Sequence, residues 1–497
     1  MLILIIQKIK KAIIIGSGFS GLSSAAFLAK SGIDVTVIEK NNQIGGRARI
    51  LKTKGYTFDM GPSWYWLPDI FEDFFKEFNL KINDLFELIQ LDPGFKIIFQ
   101  QDELKVNSNF EMTCKMFDKY EKNGGKKLKL FIKDAALKYN IGVDFINKAP
   151  GISIFELFNK KILFNLHRFE LFTSYKKQIR KYFQHPYLIN LLEFPVLFLG
   201  ASAEKIPALY SLMTYSAIKQ GTFYPLGGFN QIVQALIKLC KNLGVKFITN
   251  EAVKKINIDN AKVNYVVTEK EKIIKTDYVI ASSDYTHVEK ELIQKKYRNY
   301  SDNYWNKKTF APSCLIFYLG INKKIKKLVH HNLFFNENIQ QHTKEIYEYK
   351  KWPEKPLFYV CCPSKTDVNV APEKKENLFI LMPIAIGLKD TKELREKYFK
   401  LIISKIEKYC KQNIKDHIEV KKSYCIKEFQ KDYNAYKGNA YGLANILSQT
   451  ANLKPKIINK KVSNLFYTGQ LTVPGPGVPP SLISGKLVAE YIIKNKQ

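Results

Sequence analysis

The chain has 497 residues, of which 46% are hydrophobic and 13% aromatic, so it can bury large cores and a wholly disordered chain is excluded. Its formal net charge is +32, yet only six of its 78 basic residues are arginines. Because arginine is the side chain that reads bases and clamps phosphates, this composition disfavours nucleic acid as a partner. The seven cysteines form no CxxC pair, which argues against a zinc site and a secreted disulfide framework and favours a reducing, cytoplasmic setting.

The pattern of charged and apolar residues predicts a protein without a membrane-spanning helix. Lysine pairs occur along the whole length, so a solvated surface is the first interpretation and attraction to an anionic membrane surface the second. No segment reaches the roughly 18 uninterrupted apolar residues that a spanning helix needs. Leu2–Ile6 is too short for the core of a signal peptide. Two apolar stretches, Ile152–Phe164 and Tyr187–Gly200, are candidates for reversible contact with a membrane surface, and the length of Tyr187–Gly200 fits a buried segment as well.

The first motif lies near the N-terminus. Ala12–Ile15 is a short apolar run typical of a buried parallel strand, and Gly16–Gly21 has the spacing GxGxxG. A helix over Leu22–Ser31 and a second strand over Val35–Ile38 follow, and this strand ends at Glu39. In such a unit the first glycine permits a tight turn, the second lets the backbone approach a pyrophosphate, and the third lets the helix pack closely on the strand.

This unit predicts that the chain binds a dinucleotide. The N-terminus of the helix offers free N–H groups and a positive dipole end to the phosphates. The carboxylate of Glu39 can accept hydrogen bonds from both ribose hydroxyls. An acid at this position disfavours NADP, because it would face a 2′-phosphate.

Two glycine-containing segments follow the acid. Gly45–Arg47 comes almost at once, and Arg49 is next to it in a chain with few arginines. The second segment, Gly55–Trp64, contains the adjacent residues Gly61 and Pro62. Three consecutive aromatic residues are candidates either for the wall of a pocket or for core packing: Trp64, Tyr65 and Trp66.

Two later segments combine strands, glycines and a helix. In the first, Tyr224–Phe229 opens an amphipathic helix, and a strand starts near Val253. In the second, a strand over Leu465–Thr468 ends at Gly469, and a loop of glycines and prolines leads into a helix from about Pro480. The N-terminus of that helix can direct N–H groups at the ring of a bound cofactor.

Together these motifs resemble those of bacterial CrtI-type phytoene desaturases, which belong to the FAD-dependent amine-oxidase-like superfamily. The resemblance covers about 1–100, 220–290 and 430–495, roughly half of the chain. It is carried by GSGFSG with Glu39, GGRA, FDMGPSW, LGGFNQIV and TGQLTVPGPGVPPSLISGK.

The resemblance implies an α/β fold with two parts. A discontinuous Rossmann-type FAD-binding domain is expected over 1–100, 226–285 and 430–497. An α+β substrate-binding domain is expected over 286–429, and 101–225 is expected to face the substrate or the membrane.

The resemblance also implies one FAD per chain. We expect it to be bound non-covalently, because some amine oxidases tether the flavin through a cysteine near the C-terminus and none follows Cys425 here. No metal ligand and no catalytic residue is assigned, and Asp59, Asp284 and His287 are interpreted as structural. The expected cofactor-binding residues are Gly16, Gly18, Phe19, Ser20, Gly21, Glu39, Lys40, Gly46, Arg47, Gly61, Pro62, Val253, Gly469, Gly477 and Val478.

The activity implied by the resemblance is desaturation of phytoene, and of partly desaturated carotenoids, towards lycopene. No second GxGxxG motif follows a strand, so a quinone or oxygen is expected as electron acceptor. We expect peripheral binding to the inner face of the cell membrane and no nucleic-acid partner. The alternatives are a later-stage or C30 desaturase, a carotenoid isomerase or ketolase, and, in a different class, a non-catalytic carotenoid-binding protein.

Overall fold

The computed structural model describes residues 9–153, 156 and 170–496. Leu2–Ile6 and most of Ile152–Phe164 therefore lie outside the described residues. The described α-helices of six or more residues are α1 Phe19–Lys30, α2 Pro68–Lys76, α3 Phe110–Tyr120, α4 Gly124–Ile146, α5 Tyr175–Arg180, α6 Pro186–Glu193, α7 Asn230–Asn242, α8 Asp302–Lys307, α9 Ile339–Tyr347, α10 Lys392–Cys410, α11 Ile426–Tyr433 and α12 Val478–Lys496.

The described strands form two large sheets and three small ones. In chain order they are β1 Lys11–Ile15, β2 Asp34–Ile38, β3 Ile50–Thr53, β4 Tyr56–Asp59, β5 Leu88–Gln90, β6 Phe95–Ile98, β7 Glu103–Val106, β8 Phe223–Pro225, β9 Lys246–Ile248, β10 Val253–Asp259, β11 Lys262–Thr268, β12 Ile273–Lys275, β13 Tyr278–Ala281, β14 Ser313–Ile321, β15 His331–Phe334, β16 Phe358–Cys361, β17 Glu376–Ile384, β18 Ile418–Tyr424 and β19 Leu465–Tyr467.

The first large sheet is parallel and has the strand order β19-β13-β1-β2-β9. Its strands are short, apolar and mostly buried, as parallel strands covered on both faces are. Helices α1 and α12 pack closely against each other, and the N-termini of both lie at one cavity. This is the predicted Rossmann-type arrangement, and it is confirmed.

Two helices begin earlier than predicted. Helix α1 begins at Phe19 rather than at Leu22, because Gly18 takes the N-cap position. Helix α12 begins at Val478 rather than at Pro480. Proline is tolerated in the first turn of a helix, because the backbone N–H that it lacks would have no partner within the helix there.

The second large sheet has the order β18-β14-β17-β16-β15-β6-β7, in which only the β15–β6 pair is parallel. One face packs on α10, where Phe317 and Ile380 contact Phe399 and its neighbours. The opposite face, which carries Ile316 and Tyr359, belongs to the core around the cavity. The predicted α+β region is therefore present. The division of the chain into five segments stays a proposal, and its boundary at residue 100 lies between β6 and β7.

The apolar stretch Tyr187–Gly200 does not form a surface for membrane contact. It folds into α6 and a following turn whose apolar side chains are mostly buried, including Leu188, Leu192 and Val196. The stretch is apolar because it packs in the core, as its composition also allowed. None of the helices in the described ranges has both the length and the apolar character needed to cross a bilayer.

Candidate cofactor and substrate site

One cavity of about 1400 Å³ joins the two large sheets. At one end it is lined by the loops that follow β1, β2 and β13, and at the other by side chains of α4, the turn after α6 and β15. Fourteen of the fifteen predicted cofactor-binding residues line this cavity, and Gly21 is the exception. Their role in binding stays a prediction, but the structure places them around one space.

The glycines after β1 occupy the positions that the motif requires. Gly16 has a φ of 100°, which favours glycine. A Cβ built on Gly18 meets no atom within 4 Å, so this backbone faces open space in the cavity. A Cβ on Gly21 would overlap the carbonyl oxygen of Gly16 and lie 2.9 Å from the hydroxyl oxygen of Ser282. Gly21 is therefore a packing residue, whereas Gly18 leaves room for a pyrophosphate.

The carboxylate of Glu39 is buried and already has four donors. Ser17 donates to Oε2 from its backbone N (3.0 Å) and its Oγ (2.7 Å). Asn41 donates to Oε1 from its backbone N and its Nδ2, both at 2.9 Å. A carboxylate offers about four acceptor positions, so two ribose hydroxyls would take the places of the two rotatable side-chain donors.

Lys40 lines the cavity, but its side chain forms hydrogen bonds with the end of α11. Its Nζ donates to the carbonyl oxygen of Lys431 at 2.6 Å and to Oδ1 of Asn434 at 2.8 Å. Burial lowers the pKa of Lys40 from its ordinary value. The contacts of the side chain join the loop after β2 to the end of α11.

Arg47 and Arg49 have different environments. Nη2 of Arg49 forms an ion pair with Asp432 at 2.7 Å, which fixes this guanidinium in the protein. Arg47 lies 4.8 Å from the ring centre of Tyr433 and makes one long hydrogen bond, 3.4 Å, to the carbonyl oxygen of Asn439. Its buried Nε has no partner in the described part of the chain, and burial lowers the pKa of Arg47. Nε of Arg49 also lacks a partner among the described residues, but only Arg47 of the two lines the cavity, so Arg47 is the one placed to bind a phosphate.

The segment after β4 forms one wall of the cavity. A Cβ on Gly61 would lie 2.6 Å from the carbonyl oxygen of Arg47, so this backbone packs closely beside the phosphate end. Trp64 and Trp66 line the cavity. Tyr65 does not, because it is buried against Phe71 with ring centres 4.3 Å apart.

The C-terminal residues close the same end of the cavity. Gly469, Gly477 and Val478 line it, so the N-terminus of α12 points at the space that α1 also faces. Helices α1 and α12 are held together at Gly485, where a Cβ would overlap the carbonyl oxygen of Ser20. Val253, at the start of β10, also lines this cavity.

A buried lysine lies beside the loop that precedes α12. A Cβ on Gly475 would lie 3.3 Å from Nζ of Lys454 and 3.0 Å from Oδ1 of Asn445. Both polar atoms are buried and have no hydrogen-bond partner among the described residues. Burial lowers the pKa of Lys454 to about 7. No sequence motif distinguishes Lys454 from the many other lysines of the chain.

The acidic residues near the motifs have structural contacts. Asp284 caps the turn at 285–287 by accepting the N–H of Thr286 at 3.0 Å, and it also accepts the N–H of Tyr436 at 3.2 Å. Asp59 accepts the N–H of Phe229 at 3.0 Å and does not line the large cavity. These contacts agree with the structural interpretation of both acids.

The apolar end of the cavity was not predicted residue by residue. Its side chains come from segments that are far apart in the chain, and of these the sequence pattern indicates only Tyr187–Gly200 as an apolar stretch. The main contributors are Val143, Ile146, Phe194, Leu197, Leu209, Met213, Leu333, Phe335, Ile346 and Leu357.

The polar end fits FAD. It combines open space at Gly18, a buried carboxylate at Glu39, an unpartnered guanidinium nitrogen at Arg47 and two helix N-termini. These are the groups that a pyrophosphate, a ribose and an electron-rich ring need.

Comparisons with known proteins agree with this geometry. The sequence profile of the family "flavin containing amine oxidoreductase" matches residues 19–493. A carotenoid 3,4-desaturase of Haloarcula japonica is 35% identical over 97% of this chain and 98% of its own length. A phytoene desaturase of Fusarium fujikuroi is 30% identical over 98% of this chain and 90% of its own. The crystal structure of an oxidoreductase from Methanosarcina mazei shares the fold, with a TM-score of 0.63 and 18% identity over 97% of this chain and 100% of that one. The chain therefore belongs to the flavin-containing amine oxidoreductases, and within them to the CrtI-type carotenoid desaturase family of FAD-dependent enzymes that oxidise CH–CH groups.

Proposed function

We propose that the protein is a phytoene desaturase, which introduces C=C bonds into phytoene towards lycopene in carotenoid biosynthesis. The single observation that supports this is the continuity of the cavity, which leads from the FAD end to a long apolar end. Bound FAD supplies the acceptor for the two hydrogens that leave neighbouring carbons. The residues of the chain bind and align the substrate, and they keep water away from it.

The apolar end suits a long hydrocarbon. Its walls are built largely from leucine, isoleucine, valine, methionine and phenylalanine side chains. Burying one CH₂ group is worth about 0.8 kcal/mol, so a chain of many carbons is held without any specific polar contact. Phe194 and Leu333 line the cavity from different elements, and the ring centre of Phe194 lies 5.4 Å from that of Trp64.

A second candidate is 3,4-desaturation of a carotenoid that already carries a long polyene. It is favoured by the Haloarcula japonica relative, which has the higher identity of the two desaturases compared, 35% against 30%. Both candidates use the same cavity and the same chemistry, and they differ in which bonds of the substrate reach the flavin.

Expression in two host strains separates the candidates. One strain accumulates phytoene and the other lycopene, and pigments are identified by absorption and mass. A phytoene desaturase forms coloured products that have lost pairs of hydrogens in the first strain. A 3,4-desaturase leaves phytoene unchanged and extends the polyene in the second.

The remaining alternatives give other outcomes. A change of absorption without a change of mass indicates an isomerase, and added oxygen indicates a ketolase. Flavin-loaded protein that alters no carotenoid in either strain overturns the phytoene-desaturase proposal and leaves a C30 desaturase or a carotenoid-binding protein.

We propose further that the enzyme takes its substrate from the inner face of the cell membrane. Three apolar residues line the cavity and are also exposed: Phe172 (94%), Leu447 (37%) and Leu453 (58%). They mark a mouth at the apolar end. Lys176 and Lys177 lie close to Phe172 in the chain, and a lysine near an anionic surface adds about 1 kcal/mol. A membrane quinone, or oxygen, is the proposed electron acceptor.

Liposome flotation tests the mouth. Wild-type protein should float with anionic liposomes at low salt and less at high salt. Phe172→Asp should weaken binding about tenfold or more, because burying a phenylalanine is worth about 1.5–3 kcal/mol. Val368→Asp is the matched control, since Val368 is 82% exposed and does not line the cavity. Equal losses in both variants, or none in either, contradict the proposed mouth.

A further inference from the structure

A cluster of two histidines and a cysteine lies outside the large cavity. His330 precedes β15, His331 begins it, and Cys361 is the residue directly opposite His331 on β16. All three residues are buried. One ring nitrogen of each histidine and the sulfur of Cys361 lie within 4.8 Å of one another. Three atoms that bind metals are therefore close enough to share one ion.

Hydrogen bonds orient both imidazole rings. Nδ1 of His330 is 2.8 Å from Oγ1 of Thr366, and Nδ1 of His331 is 2.6 Å from the hydroxyl oxygen of Tyr359. Both Nε2 atoms are buried and have no partner among the described residues. Metal-binding histidines are held in this way, with one ring nitrogen bonded to a neighbour and the other left for the ion.

Charge and space next to the cluster suit a cation. His330 and Cys361 line a small cavity of about 10 Å³ together with Asp59, Ser63 and Tyr224. This is close to the smallest volume that holds one water molecule. Oδ1 of Asp59 is buried and has no partner in the described part of the chain. A cysteine thiolate and this carboxylate would balance the charge of a divalent cation, which a buried ion requires.

We propose that His330, His331 and Cys361 form a buried binding site for a d¹⁰ cation that prefers nitrogen and sulfur ligands, represented by Zn²⁺. Imidazole and thiolate are the ligands that such ions select, and three protein ligands with one water complete a tetrahedral shell. On binding, the thiol of Cys361 releases its proton to solvent.

The site would stabilise one wall of the large cavity. The ring of His331 stacks on Trp64, with ring centres 4.1 Å apart and planes 13° apart. The hydroxyl of Tyr359, which is bonded to His331, also lies 3.0 Å from Oγ of Ser63. An ion that fixes His331 therefore fixes the segment that carries Trp64, without contacting the flavin or the substrate.

Zinc content tests the site. The flavin-loaded enzyme is produced in zinc-supplemented medium, dialysed against a weak chelator and analysed by mass spectrometry for metals. The wild type should carry about one zinc per chain. His331→Asn and Cys361→Ser should retain less than about a tenth of it, whereas Cys410→Ser, a buried cysteine outside the cluster, should retain it fully.

Other metal contents also support or overturn the proposed site. Copper at the same stoichiometry, lost in the same two variants, supports the site and changes only the identity of the ion. Wild-type protein without stoichiometric metal, or variants that keep it, overturns the proposal.

If the variants lose flavin because they do not fold, the apparent melting temperature of the wild-type protein tests the site instead. A higher apparent melting temperature with Zn²⁺ than with a chelator supports the site, because an ion that binds only the folded protein stabilises it. Equal melting temperatures overturn it.

Discussion

The two ends of the large cavity are built in opposite ways. At the flavin end, backbone and short side chains from compact sequence motifs form the wall, as at Gly18 and Ser17. At the apolar end, side chains from many distant segments meet, as Phe194 and Phe335 do with ring centres 6.0 Å apart. A site made of backbone needs particular residues at particular positions. A site made of apolar side chains needs only volume, so many sequences satisfy it.

Placing the same side chain at each end of the cavity tests this difference between the flavin end and the apolar end. Gly18→Val should abolish flavin binding, because a branched side chain would fill the space where the pyrophosphate fits. Gly142→Val should keep the flavin, because Gly142 lies in α4 at the apolar end. Its phytoene conversion should fall about tenfold, as overfilling a packed space costs about 1–3 kcal/mol. Flavin content and pigment yield measure the two effects.

Loss of flavin from both variants, or from neither, would remove the distinction between the two ends. Circular dichroism shows whether each variant is folded.

The second change tests the polar contacts of Glu39. Glu39→Gln should weaken FAD binding about 10- to 100-fold, because hydrogen bonds to a charged group are worth about 1.5–3 kcal/mol. Ser17→Ala should change the affinity only a few-fold, since the ribose would take the place of the Ser17 hydroxyl in any case. Fluorescence titration of the apoprotein with FAD gives both affinities. A larger effect for Ser17→Ala than for Glu39→Gln would show that the serine, and not the acid, binds the ribose.

The third change concerns Lys454, which is buried beside Gly475 in the loop that precedes α12. Burial lowers the pKa of Lys454 from 10.5 to about 7 in the folded chain. Between these values the unfolded chain binds a proton that the folded chain does not, so this lysine makes stability rise with pH from about 7 to 10.5 and has a constant effect below. Lys454→Met should therefore raise the apparent melting temperature, most strongly below pH 7. The advantage should shrink as the pH approaches 10.5.

Lys422→Met, at an exposed lysine, is the control and should show no such dependence. A constant difference between Lys454→Met and the wild type over the whole pH range would contradict the lowered pKa.

The elements that the sequence predicts best are those whose pattern lies within one short stretch of the chain. The strands and helix around Gly16–Glu39 followed from spacing, because β1, α1 and β2 follow one another in the chain and β1 pairs directly with β2. Their boundaries were less certain, as the earlier starts of α1 and α12 show. The sequence prediction named Arg47 and not Arg49 as a cofactor-binding residue, and the structure places Arg47 at the cavity and Arg49 in an ion pair with Asp432.

The rest depended on contacts between distant residues. The parallel pairing of β6 with β15 joins residues near 97 and 333, and no local pattern indicates it. Tyr187–Gly200 showed apolar composition but not the side that it faces. His331 and Cys361 meet only because β15 and β16 are paired in one register, so the cluster has no motif.

Anaerobic reduction of the bound flavin by substrate tests whether one cavity brings the hydrocarbon to the flavin. Wild-type enzyme, loaded with FAD and mixed with liposomes that contain phytoene, is followed by its absorption without oxygen or quinone. If one cavity brings the hydrocarbon to the flavin, the flavin should bleach as a conjugated product forms, and oxygen or quinone should restore its colour. Flavin that stays oxidised with phytoene and with lycopene alike would contradict the claim.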